Sequence, residues 1–146
     1  MLVKDDAYEF LLSLHRATTE GRIAWDQGVG PDAVSTSLYE GYSVVVERSS
    51  DELDSTGFPN YLVHLERRGS RVKTIRDRDD NLSAKRFEQE LGAHNWPGSG
   101  SAQYRFFGDL WKLASADAVT GAGHIKAARR TLDGSGLPVG LPASQR

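Results

Sequence analysis

From Asp6 to about Thr19 the apolar residues Phe10, Leu11, Leu14 and Ala17 recur at the three-to-four-residue spacing of a helix, and Tyr8 and Leu12 widen the stripe. Asp6 followed by Glu9 has the spacing of a capping box and Gly21 closes the element, so the pattern predicts a helix over about 6–19 packed on two sides. The period then drops to two. Arg22-Ile23-Ala24-Trp25 opens a strand region and Asp26 to Asp32 is rich in turn formers. Val34, Thr36 and Leu38 fall on one face of a strand, and Tyr42, Val44 and Val46 on one face of the next, with Ser43 and Glu47 opposite. These two form a hairpin. After a polar stretch at 49–60, Tyr61, Val63 and Leu65 alternate with Leu62, His64 and Glu66, and Arg68-Gly69-Ser70 turns the chain into a strand over 71–76. The result is a four- or five-stranded antiparallel meander.

Helical spacing returns at about 82–91 (Leu82, Phe87, Leu91) and, after a loop at Asn95 to Ser101, at about 103–118, where Tyr104, Phe107, Leu110, Trp111 and Ala114 form a stripe extended by Phe106 and Leu113. Gly121 and Gly123 interrupt it, and Ile125, Ala128 and Leu132 continue as a kinked extension or a separate helix. An antiparallel sheet with one polar face needs its other face covered, and the terminal helices carry the apolar surface to do so. The expected fold class is therefore α+β, with N- and C-terminal helices on one face of the meander, in a single domain over 1–133 followed by a flexible tail over 134–146. This order of elements, opened by Thr18-Thr19-Glu20-Gly21-Arg22-Ile23-Ala24-Trp25, resembles a group of small uncharacterised bacterial proteins; the resemblance implies the fold and no activity, cofactor or site residue.

The chain of 146 residues is 38% hydrophobic and 26% charged, the composition of one ordinary globular domain. It has no cysteine, which removes disulfides, thiolate metal sites and cysteine nucleophiles and suits a reducing compartment. Its opening residues do not read as a secretory signal and no stretch approaches a membrane span, so a cytoplasmic protein without a membrane partner is expected.

Charge changes the picture more than composition does. The formal net charge of −2 divides into −8 over 1–66, +5 over 67–86 and +1 over 87–146. The basic block Arg67, Arg68, Arg71, Lys73, Arg76 and Arg78 spans the last hairpin, and on one solvent face it would suit phosphates. Asp77, Asp79 and Asp80 interrupt it, no aromatic pattern of an RNA-binding sheet accompanies it, and the pI of about 6.1 is acidic, so nucleic acid is the second choice of partner. Asp77, Asp79, Asn81 and Glu88 match the ligand spacing of an EF-hand calcium loop, but Leu82 stands where that loop needs glycine, and Asp79, Asp80, Asn81 or Ser83 reads better as the N-cap and first-turn charge of the next helix. His15, His64, His94 and His124 fall in four different elements without metal-binding spacing. Neither a nucleophile elbow, a phosphate loop nor a dinucleotide fingerprint is present, and Asp51 and Asp54 lie in a polar loop ill suited to general-acid work. Catalytic residues, metal and cofactor are accordingly assigned as none. The expectation is a non-catalytic module that binds another protein or a second copy of itself. Phe106 and Trp111 on the apolar helix and Trp96 in the loop are the contact candidates, and a pocket lined by His64 and carboxylates would instead favour ligand binding.

Overall fold

The computed structural model describes residues 4–28, 32–49, 59–77, 84–91 and 101–133. The element order is α1 (Lys4–Thr19), β1 (Asp26–Gln27), β2 (Ala33–Ser37), a short 3-10 turn (Tyr39–Gly41), β3 (Tyr42–Ser49), β4 (Asn60–Arg67), β5 (Ser70–Arg76), α2 (Ala84–Leu91), α3 (Ala102–Thr120) and α4 (Ala122–Leu132). The strands form one antiparallel sheet in the order β1-β2-β3-β4-β5. Helices and a meander make the fold α+β, as the periodicity predicts.

Register follows from alternation. Val34, Val46, Val63 and Ile75 are cross-strand neighbours in one row over β2 to β5, and all four are buried. The β4–β5 turn places both Arg68 and Gly69 at positive φ (52° and 84°), the conformation that joins twisted strands in two residues. Val72 is the extra residue of a bulge facing Leu65 and Glu66.

α3 lies across β1 to β4, and α1, α2 and α4 pack against α3. Phe106 sits at the centre, with ring centroids 5.4 Å from Phe87, 5.1 Å from His15 and 6.2 Å from Phe107. Ser101 caps α3 by accepting from the Tyr104 amide at 3.2 Å. Tyr8 of α1 packs edge-on against Phe87 of α2 and donates to Glu90 Oε1 at 3.2 Å, while the Arg86 guanidinium lies 4.3 Å over the Tyr8 ring and binds Glu9 and Glu90.

Two details differ from the periodicity, and a third decides between alternatives it left open. Residues 22–25 are not a strand, because Trp25 turns into the core and pairing starts at Asp26. α1 already includes Lys4, which puts Asp6 inside the first turn rather than at the cap. α4 is a separate helix, since Gly121 at φ +70° ends α3 in the left-handed region. The tail at 134–146 lies outside the described residues. Among the described residues no helix is long and apolar enough to cross a membrane.

Burial, reinforced by the facing Glu90 carboxylate, pushes the Tyr8 phenol from 10.0 up to about 12. The unfolded chain loses this proton near its ordinary value while the folded chain keeps it. The contribution is therefore complete below pH 10 and is lost progressively as pH rises towards 12. In urea titrations across that window, wild type should lose more stability than Tyr8→Phe; parallel losses would refute the coupling.

Candidate functional site

Two surfaces emerge once the helices are placed, and the first begins at a carboxylate. Asp117, in the last turn of α3, accepts from the Trp25 amide at 2.8 Å through Oδ2 and from the Gly123 amide at 2.7 Å through Oδ1. Trp25 is fully buried, and its indole nitrogen donates to Thr18 Oγ1 at 3.1 Å, which itself donates to the Leu14 carbonyl at 2.8 Å. Glycine is required on both sides of the junction. A Cβ on Gly123 would lie 2.8 Å from Ala24 Cα and 2.9 Å from the Ile23 carbonyl oxygen, and a Cβ on Gly21, at φ +70°, would meet the Lys126 stem at 2.6 Å. The Thr18 to Trp25 stretch is therefore the seat on which α4 starts.

Beyond that first turn α4 stands clear of the body. Gly123 and Lys126 share the side turned to the seat, and by helical spacing Ile125, Ala128 and Leu132 fall on the far side. Ile125 is 59% and Leu132 84% exposed, and Val119 of α3 is exposed nearby in sequence. An amphipathic helix ordinarily buries such a stripe; this one presents it to solvent. Lys126, Arg129 and Arg130 make no ion pair among the described residues, and together with Asp133 they line a cleft of about 200 Å³. α4 contains no carboxylate of its own. His124 Nε2 lies 2.8 Å from Asp26 Oδ1, tying the helix to β1.

The second surface is the sheet face away from the helices. A cavity of about 580 Å³ is lined by residues of all five strands, among them Ser35, Ser43, Glu47, His64, Glu66 and Arg71. His64 is only 4% exposed, with Nε2 2.9 Å from Glu47 Oε1 and Nδ1 2.9 Å from Thr74 Oγ1. A carboxylate only accepts, so Nε2 carries the proton, and in the neutral ring Nδ1 accepts from the Thr74 hydroxyl. Arg71 meets Glu66 at 3.2 Å in a single contact.

The residues expected to carry contacts fall elsewhere. Phe106 and Trp111 are buried in this chain's own core, Trp111 beneath the Arg48 guanidinium at 5.4 Å, which corrects the expectation that α3 offers an aromatic face to a partner. The stripe is wide because α3 touches the sheet, α1 and α2 at once. Trp96 and Arg78 lie outside the described residues. The rest of the basic block is not one face. Arg71 and Arg76 are on the outer face; Lys73 belongs to the core-facing row with Leu65 and Val44; Arg67 lies 5.0 Å over the Tyr42 ring; and Arg68 is in the turn. Alternation divides what the sequence groups.

Of the calcium-like set, Asp77 is buried and accepts from the Tyr61 amide at 2.9 Å, and Glu88 accepts from the Ala102 amide at 2.8 Å; residues 78–83 lie outside the described residues. His15 pairs with Asp109 at 2.7 Å between α1 and α3, and His94 is outside the described residues. Among the described residues no three His, Asp or Glu side chains are grouped as metal ligands.

Comparison of the chain with protein-family models, curated proteins and solved structures finds no match.

Removing the Asp117 carboxylate leaves the buried Trp25 amide without its acceptor. Asp117→Ala should lower the unfolding free energy by about 2–3 kcal/mol, the scale of hydrogen bonds to a charged acceptor, measured by urea denaturation. Gly123→Ala should raise hydrogen exchange over 122–132 while the β3–β4 amides stay protected. Unaltered exchange in α4 would refute its anchoring at this seat.

Proposed function

We propose that the chain is a non-catalytic interaction module that docks on another protein through α4, and that the partner surface is apolar at its centre and acidic at its rim. The observation that carries this reading is the outward stripe of Ile125, Ala128 and Leu132, beside cations that make no ion pair among the described residues. Charge selects the occupant. Two α4 helices brought face to face would oppose like charges, at a cost that an acidic partner converts into attraction. A stripe of three residues is small, so the contact belongs to the weak, transient class and depends on its charges. Nucleic acid is the second reading, and the same cations would serve it. The stripe favours protein, because phosphate binding makes no use of outward Ile125 and Leu132.

The test compares wild type, Ile125→Asp/Leu132→Asp and Arg129→Glu/Arg130→Glu as immobilised baits for a lysate, at low and high salt. Both variants change exposed positions and should unfold at nearly the wild-type temperature. The reading expects an acidic protein retained by wild type, reduced about tenfold by either variant, and released by salt. Equal retention by all three baits would sink it, as would retention of nucleic acid that survives the Ile125 and Leu132 changes.

A further inference from the structure

We propose that the helix-free face of the sheet is a second, separate site, which binds a linear aliphatic polyamine across Glu47 and Glu66. The argument starts from the buried imidazole. His64 is fixed at both ring nitrogens, by Glu47 and by Thr74, and the bond to Glu47 occupies one carboxylate oxygen only. Glu47 is 43% exposed at its side chain, and no Lys or Arg neutralises it among the described residues. The imidazole orients this carboxylate through one oxygen and leaves the other without a hydrogen bond among the described residues, which makes it an anchor for a cation.

Four residues along β4 from Leu62, the cross-strand partner of Glu47, stands a second carboxylate, Glu66. Its partner among the described residues is Arg71, whose side chain is 54% exposed against 21% for Glu66 and whose single 3.2 Å contact is open to competition from an ammonium group. Strand geometry puts the Glu47 and Glu66 Cα atoms about 14 Å apart, a span that a triamine with both ends turned inward onto carboxylates covers. Val45 lies between them as a small apolar floor for methylene groups, and the hydroxyls of Ser35, opposite Val45, and Ser43, opposite Glu66, make no side-chain hydrogen bond among the described residues.

Other ligand classes fit less well. An anion would face Glu47, a sugar would find no Phe, Tyr or Trp ring among the lining residues, and among the described residues a metal ion would lack a third ligand. The His64 network also does not make Thr74 a nucleophile: Thr74 is not among the residues that line the cavity. His64 is a positioning residue for Glu47.

Calorimetric titration of the full chain with spermidine and with 1,4-diaminobutane tests the site. Glu47→Gln keeps an acceptor for His64 and removes only charge, so it should fold normally and weaken spermidine about tenfold. Glu66→Gln should weaken spermidine more than the shorter diamine, which cannot bridge both carboxylates. Glu40→Gln, at an exposed turn outside the cavity, should change nothing. Absence of saturable spermidine binding would overturn the proposal, as would equal weakening by Glu40→Gln, the mark of diffuse attraction to an acidic surface. Tighter binding of glycine, lost in Arg71→Gln, would replace the polyamine by a zwitterion.

Discussion

The Asp117 carboxylate is the constraint on which the two ends of this fold depend. One side chain accepts amides from the segment that enters the sheet and from the helix that leaves α3. Neither amide has a neighbour in a helix or strand ladder to turn to: Trp25 precedes the first pairing at Asp26, and Gly123 lies in the first turn of α4, where backbone donors lack intrahelical acceptors. Charge-assisted bonds are roughly twice as strong as neutral ones, and here two converge on a single group in the company of a buried indole. The Thr18 to Trp25 stretch thus reads as a structural device. Thr18 holds the indole, Gly21 gives the left-handed turn and room for Lys126, and Ala24 offers backbone close enough that only glycine fits opposite.

That junction explains why α3 and α4 have opposite fates. α3 is surrounded by the sheet, α1 and α2, so aromatic residues around more than one of its faces are all covered, and Phe106 touches rings from two other helices. Among the described residues α4 is held by its first turn and by Lys126 over Gly21, and its apolar stripe points away from that hold. The stripe of α3 is larger and more aromatic, yet position in the fold, not apolarity, decides which helix has surface to offer.

The architecture was legible in the sequence because alternation in β3 and β4 and the α3 stripe are strong local signals, and Arg68-Gly69 marks its turn. The surfaces were not. Helical spacing identified Ile125, Ala128 and Leu132 as one stripe, but spacing carries no sign for inside or outside; that sign comes from Gly123 packing on Ala24. Glu47, His64 and Thr74 lie on three strands, and only the register that sets Val45 opposite His64 and His64 opposite Thr74 brings them together. The basic block failed for the complementary reason: neighbours in sequence alternate between faces, so a linear cluster is not a spatial one.

The two surfaces both touch one small element, β1, and its size bounds what passes through it. β1 has two residues: Asp26 pairs with His124 of α4, and Gln27 lines the outer cavity. A route from α4 to the cavity through β1 must pass through the His124–Asp26 contact or through the Asp117 clamp. The clamp is unaffected by what covers the far side of α4, since its acceptor and both donors lie in the α4 first turn and beneath it. The His124–Asp26 contact is more than half exposed on both partners, and such pairs contribute at most about 1 kcal/mol. Linkage between sites is reciprocal and bounded by the interaction that carries it, so a signal carried by this contact alone would change affinity at the other surface by no more than about fivefold. Through β1, the helix and the sheet face are therefore only weakly coupled.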